Sequence, residues 1–270
     1  MLWYEVLTLI ALGFGIGGLG TVIGIGGGVY LVPTLVLLYG FEPKMAAGTS
    51  LFFVFLNVLS GSISYLRLRR VDVKLGLMFM VPTIPGAIIG AYFVGYLGSF
   101  TFRLIFAALL VWASVYLLIK PTGHSSNVDK TNKTKGYERK IVDSNGKVYA
   151  YSVNIPLGLV TGFVAGMASS IFGIGGGILH VPIMIHVLGI PVHVATATSH
   201  FILIFTTLFG SITHSTLNNI SFGHAILLGL GGILGAQVGA RVSGRIGDVK
   251  IKRLLGLTLL IVAIRLVLQF

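Results

Sequence analysis

The sequence predicts an all-α polytopic membrane protein: two inverted-topology repeats of about five hydrophobic segments each, with glycine-broken short helices. Three observations carry that reading. The chain is 55% hydrophobic and 10% charged with a mean hydropathy of +0.96, where soluble domains carry about a quarter charged residues. The pentapeptide Gly-Ile-Gly-Gly-Gly occurs twice, at 24–28 and 173–177, an offset of 149 residues. Basic residues also exchange places between equivalent loops of the two halves.

The duplication extends well beyond the pentapeptide. The same offset carries Pro33 to Pro182, Thr49-Ser50 to Thr198-Ser199 and Gly61-Ser62-Ile63 to Gly210-Ser211-Ile212. Laid without a gap, Gly13–Leu104 matches Gly162–Arg253 at 27 of 92 positions. A Gly- and Leu-rich composition raises chance matching, but it favours no single register over that length.

Each half divides into five hydrophobic segments. In the first they are Leu2–Ile23, Val29–Tyr39, Ala46–Leu66, Leu75–Leu97 and Phe102–Ile119. The second repeats them as Val153–Phe172, Ile178–Leu188, Ala195–Ser215, His224–Ile246 and Leu254–Phe270. The second segment of each half, about eleven residues, is too short to cross a full bilayer as a regular helix. It reads as a half-helix that crosses where the protein interior narrows, or as one that turns back. The N-terminal stretch has no basic flank and carries only Glu5, so it reads as a membrane segment and not as a signal peptide.

Loop charges give the topology. The loop with Arg67, Arg69, Arg70 and Lys74 is basic, whereas its counterpart Thr216–Gly223 has no Lys or Arg. The next loop has Arg103 alone, whereas its counterpart has Arg245, Lys250, Lys252 and Arg253. By the positive-inside rule the two halves face opposite ways. The expected organisation is a first repeat over 1–119, a cytoplasmic basic linker over 120–152 and an inverted second repeat over 153–270. Ten crossings satisfy the charges, with both termini outside; eight would make each half even and break the inversion. In the linker, Pro121–Lys135 is polar, and Ile141–Tyr149 reads as a hairpin turning at Asn145-Gly146.

A net charge of +12 invites a nucleic-acid partner. The basic residues sit in short loops and one linker, not on an amphipathic face, so none is expected. The seven acidic residues all lie near segment ends, in loops or in the linker. A cation carrier would be expected to use a membrane carboxylate, and none is available. Paired-carboxylate catalysis is absent for the same reason, and no nucleophile–base pair is spelled out, so the chain does not read as an enzyme. Without cysteine, without an intramembrane carboxylate and without a His-x-x-x-His pair, neither a metal nor another cofactor is expected.

The candidate site lies at the glycine breaks. Non-helical backbone at membrane depth must be buried in protein or line a wet cavity. A glycine turn entering a helix leaves unpaired N–H groups and the positive end of the helix dipole facing the gap. Two inverted breaks therefore bring such ends together, which suits an anion. Gly26, Gly27, Gly28, Gly175, Gly176 and Gly177 are the backbone candidates; close helix packing is the alternative, and it is the reading for Gly86–Gly90 and Gly235–Gly239. Thr49, Ser50, Thr198 and Ser199 either cap their helix or donate to oxyanion oxygens. His200 follows the second Thr-Ser pair and can contact solute or carry a proton; His214 reads as lying near the outer end of its segment. Arg241 either snorkels to the surface or projects into an anion path.

The doubled Gly-Ile-Gly-Gly-Gly-x-x-x-Val-Pro element, the Ala-x-x-Thr-Ser element after each copy and the basic central loop resemble the sulfite exporter TauE/SafE family. The resemblance covers nearly the whole chain except the linker. It implies an inner-membrane permease exporting sulfite, organosulfonates or related sulfur oxyanions, and the inverted repeats add the expectation of alternating access by rocking of the halves. The expected partners are thus a small anionic solute and the lipid bilayer, with proton or ion coupling and a homodimer left open. The alternatives are an anion channel and an intramembrane histidine metalloenzyme.

Overall fold

The computed structural model describes residues 3–119, 136–243, 245, 253, 256, 257 and 259–264. The polar stretch Pro121–Lys135, the loop lysines Lys250 and Lys252, and the terminal Arg265 lie outside the described residues.

The first half folds as α1 (Trp3–Ile23), α2 (Gly28–Leu38), α3 (Pro43–Arg67), α4 (Val73–Phe93), a 3-10 turn (Val94–Tyr96) and α5 (Ser99–Ile119). A two-stranded antiparallel hairpin follows, β1 (Tyr137–Val142) paired with β2 (Val148–Val153). The second half repeats the order as α6 (Ile155–Phe172), α7 (Gly177–His186), α8 (Val192–Thr216) and α9 (Phe222–Ser243). Residues 256, 257 and 259–264 are helical where the fifth segment is expected. Among the described residues, six helices are long and apolar enough to cross a membrane. Large apolar side chains such as Val81, Val160 and Leu234 lie exposed on their outer faces. A soluble monomer does not carry that much exposed apolar surface, and lipid covers it here. The protein is an all-α polytopic membrane protein.

Local chemistry sets the helix ends. Gly24 (φ 90°) stops α1 and Gly173 (φ 67°) stops α6, each in a left-handed conformation that a β-carbon resists. Pro43 starts α3 at a position where its missing N–H costs nothing. Asp72 and Asn154 cap α4 and α6 by accepting from Leu75 N–H and Leu157 N–H. Arg69 (φ 53°) and Asn218 (φ 56°), related by the repeat offset, end α3 and α8 in the left-handed region. Pro82 and Pro85 fall inside α4; nearby, the Thr83 hydroxyl donates to the Met80 carbonyl at 2.8 Å.

Contacts between helices give their relative directions. α1 runs parallel to α9, with Gly13 meeting Leu228, Gly17 meeting Gly232 and Gly18 meeting Gly239. α3 also parallels α9: Leu56 packs at Gly229, Ser60 donates to Ile233 O and Ser64 donates to Gln237. α4 parallels α6, with Phe79 at Gly158, Thr83 at Gly166 and Met167 at Gly90, and parallels α8 through Thr206 and Thr83. α3 and α8 cross antiparallel, since Gly48 meets His214 and Gly61 meets His200. Helices α1, α3 and α9 thus run one way and α4, α6 and α8 the other. Each of α1, α3 and α4 is antiparallel to its sequence counterpart.

Close backbone approach explains Gly86, Gly90, Gly235 and Gly239. A β-carbon at Gly86 would meet the Phe163 carbonyl, one at Gly90 the Met167 carbonyl, and one at Gly235 or Gly239 the carbonyl of Phe14 or Gly18. Neighbouring helices approach here more closely than any larger residue permits.

The same test separates glycines that the fold needs from those that it tolerates. A β-carbon at Gly28 would lie 2.5 Å from Gly173 O, and one at Gly177 would collide with the Ile25 backbone, whereas Gly95 has nothing within 4 Å. Gly28→Ala and Gly177→Ala are each expected to cost about 2 kcal/mol or more, because backbone must yield. Gly95→Ala should stay within about 0.5 kcal/mol. Unfolding of the three purified variants in detergent tests this; equal stability of all three would contradict it.

Candidate functional site

The two glycine breaks meet in the middle of the molecule. Gly28, the first residue of α2, packs on Gly173 and Ile174; Gly177, the first residue of α7, packs on Gly24 and Ile25. Gly26 and Gly27 (φ 76° and 89°) and Gly175 and Gly176 (φ 78° and 85°) turn the chain from the long helix into the short one. Both breaks are fully buried. The Tyr30 and Leu179 N–H groups close on the Gly27 and Gly176 carbonyls, whereas those of Gly28, Val29, Gly177 and Ile178 precede the first intrahelical bonds, and the positive ends of both dipoles point to this centre.

Each break is held by the opposite half. Ser50 Oγ donates to Gly173 O at 2.7 Å, and its counterpart Ser199 Oγ donates to Gly24 O at a longer 3.4 Å. Thr198 Oγ1 accepts the Asp72 N–H at 2.9 Å, and Thr49 Oγ1 accepts the Ser221 N–H at 3.0 Å. The Thr-Ser pairs are not helix caps, because α3 begins at Pro43 and α8 at Val192, several residues earlier. They instead tie each central helix to a glycine break and a helix start of the other repeat.

A polar layer that sequence reasoning missed surrounds this crossing. Asn57 Nδ2 donates to Gly26 O and to Thr21 Oγ1, both at 3.1 Å. Tyr65 OH donates to Thr21 O at 2.7 Å. At the offset position, His214 Nε2 lies 3.0 Å from Ser170 O, the counterpart of Thr21. His214 lies in the last turn of α8, near the end of its segment as expected, but its ring is fully buried and takes the place that Tyr65 holds in the other half. Asn57 carried a usable signal, as an amide inside the uncharged stretch Ala46–Leu66. The Tyr65–His214 equivalence was visible in the offset and gave no hint of the carbonyl partners.

His200 is fully buried, with its ring 5.3 Å from that of Tyr65 in an edge-on arrangement. It faces the backbone of Gly24 and Thr196, and neither ring nitrogen reaches a partner at hydrogen-bonding geometry. His180, on α7, is also buried with Nε2 unpartnered. Arg241 sits exposed in the last turn of α9. Among the described residues, no three His, Cys, Asp or Glu side chains are grouped as a metal site.

At one edge of this centre, the hairpin docks on Asp72. Arg139 Nε donates to Oδ2 at 2.8 Å and Nη2 to Oδ1 at 2.6 Å, while Tyr151 OH donates to Oδ2 at 2.7 Å. Burial alone would raise the Asp72 pKa. The bonds from Arg139, Tyr151 and Leu75 N–H, with the Arg139 charge, outweigh it and hold the carboxyl below its ordinary 3.8. Burial and the Asp72 carboxylate together push the Tyr151 hydroxyl up.

A centrally crossed, buried pair of helix breaks inside a multi-pass helical bundle is the architecture of a membrane permease. The TauE family model, Sulfite exporter TauE/SafE, matches residues 9–266, and the chain belongs to that family of membrane transporters. It is similar to the probable membrane transporter proteins YunE of Bacillus subtilis, 31% identical over 268 residues and 97% of each chain, and MJ0441 of Methanocaldococcus jannaschii. The second is 26% identical over 253 residues, covering 88% of this chain and 86% of the relative. No solved structure matches.

The Asp72 cluster has a definite pH signature. A carboxylate held below its unfolded value contributes stability in full above that value, and loses it as pH falls through the native one. Arg139→Gln should therefore cost about 2 kcal/mol, typical of a charged hydrogen bond. That penalty should be constant from pH 8 to pH 5 and shrink only below the ordinary 3.8. Thermal unfolding of both proteins across that range tests it; a penalty already fading by pH 5 would contradict it.

Proposed function

We propose that the protein is a secondary transporter that exports a small sulfur-containing oxyanion, such as sulfite or an organosulfonate, across the cytoplasmic membrane. The observation that carries this is the meeting of two half-helix N-termini, Gly28 and Gly177, each seated on the other repeat's break. Two positive dipole ends and their free N–H groups favour an anion without a buried permanent cation. All seven acids lie near segment ends, in loops or in the linker, which disfavours a cation at this centre.

The repeats are read as inverted, over 1–119 and 153–270. The antiparallel course of α1 against α6, α3 against α8 and α4 against α9 supports this, as does the exchange of basic loops. With the Arg67–Lys74 loop and the linker in the cytoplasm, both termini lie outside. In the conformation described, the breaks are packed shut. Solute reaches the N–H groups of Gly28 and Gly177 only when α2 and α7 separate, and rocking of one repeat against the other supplies that motion. Each Thr hydroxyl already accepts a backbone N–H and keeps its own O–H as a donor toward an oxyanion.

Counterflow of labelled sulfite in proteoliposomes tests the transport reading: a carrier gives saturable exchange that unlabelled sulfonate inhibits, whereas a channel gives neither saturation nor counterflow. No flux for any sulfur oxyanion would refute the substrate class. Topology is tested by single cysteines in this cysteine-free chain. Asn145→Cys should react only from the cytoplasm and Thr216→Cys only from outside; labelling from one side would remove the inversion.

His200 is the proposed protonatable partner of the anion. A proton on its ring and a bound anion favour each other reciprocally. His200→Gln should weaken anion affinity about tenfold and flatten its dependence on pH. An unchanged affinity and pH profile would assign the ring to packing alone.

A further inference from the structure

The hairpin does more than join the halves. Its turn is fastened to the end of α3, where the Ser144 N–H donates to Leu68 O at 3.0 Å and Arg70 lies 3.6 Å from Asp143. Its strands hold Asp72, the first-turn cap of α4, through Arg139 and Tyr151. Its inner face, Tyr149 and Val153, belongs to one apolar cluster with Leu75 and Phe79 of α4, Met184 of α7, Leu188 and Ile190 of the α7–α8 loop, and Val194 and Ala195 of α8. The hairpin therefore bonds directly to the α3–α4 corner of one repeat and shares an apolar core with α7 and α8 of the other. Asp72 closes the bridge, because the residue that Arg139 clamps also donates its N–H to Thr198 of α8.

Among the described residues, nothing equivalent stands at the opposite end. The residue at the offset from Asp72 is Ser221, whose N–H likewise donates to Thr49. Its hydroxyl bonds His224 at 2.9 Å, and the His224 ring rests on Tyr39 and Phe41. Among the described residues, one end of the molecule has a hairpin clamp across both repeats; the other has the Ser221–Thr49 bond and aromatic contacts of single side chains. The clamp is also only partly satisfied: Arg70 is buried, yet its Nε and Nη1 have no hydrogen-bond partner. An arginine held in this way contributes little to a permanent seal, since unpaired buried donors are costly.

We propose that the 137–153 hairpin is a latch across the two repeats, with Asp72 as its catch, and that this end of the molecule opens only when Arg139 and Tyr151 release Asp72. The latch rests on the alternating-access reading for its purpose, but its opening is measurable with no solute present. Thr196, in the first turns of α8, is buried against Gly24 beneath this end. Ala47, at the same offset position in α3, is buried against Gly173 beneath the other.

The chain has no cysteine, so Thr196→Cys and Ala47→Cys each carry one thiol, and their labelling by a small thiol reagent reports opening of each end. Adding Arg139→Gln should speed labelling of Thr196→Cys about tenfold, the loss of a charged hydrogen bond. It should leave Ala47→Cys within twofold of its own rate. Tyr151→Phe, which removes a single bond and keeps the fold's packing, should accelerate Thr196→Cys to a smaller extent. Unchanged labelling of Thr196→Cys in both backgrounds, or equal acceleration at both ends, would overturn the latch. Because no anion enters the measurement, either outcome leaves the substrate reading where transport assays put it.

Discussion

A backbone that leaves its helix inside a membrane has to find hydrogen-bond partners within the protein, and the rest of this structure follows from how that requirement is met. The two glycine breaks expose carbonyls and N–H groups at depth, where an unmet group costs several kcal/mol. Neither repeat meets its own requirement in full. The Gly173 carbonyl takes its bond from Ser50, and the Gly24 carbonyl faces Ser199. Asn57, from within the first half, serves Gly26. The halves are therefore obligate partners, and the Thr-Ser pairs recur because each serves the other copy's break.

Interlocking breaks also account for the glycines themselves. Positive φ at positions 24, 26, 27, 173, 175 and 176 removes strain only with glycine. Gly28 and Gly177 have ordinary backbone angles but no room for a β-carbon. Packing and ligand binding are consequently not rival explanations of the pentapeptide. Packing explains why glycine is needed in the closed state, and the proposed anion site is what separation of the same surfaces would uncover.

Much of the architecture was legible in the residues. Hydropathy placed the segments within a few positions: Val29–Tyr39 is α2 at Gly28–Leu38, and Ile178–Leu188 is α7 at Gly177–His186. The ungapped offset foretold the matched order of elements, and Asn145-Gly146 marked the hairpin turn, where Gly146 has φ 79°. What stayed hidden was partnership across long separations. Asp72 read as an ordinary loop acid, because its burial is produced by Arg139, 67 residues away. Thr49-Ser50 and Thr198-Ser199 were marked by recurrence, yet recurrence cannot tell a backbone partner from a solute. His214 stands near its segment end as the sequence placed it, but its burial against the Ser170 carbonyl of α6 was not visible in the residues. The repeats have also diverged where function is expected: Leu51 stands against His200, and Ser221 against Asp72.

Thermal unfolding of the detergent-purified protein against a panel of salts at fixed ionic strength tests the central claim most directly. A ligand that binds only the folded state raises its stability by about 2.7 kcal/mol at a hundred times its dissociation constant. Sulfite and simple sulfonates should raise the melting temperature by several degrees in a saturable manner, with chloride and organic cations giving none. Equal responses to all salts, or stabilisation by cations alone, would contradict an oxyanion site at the paired glycine breaks.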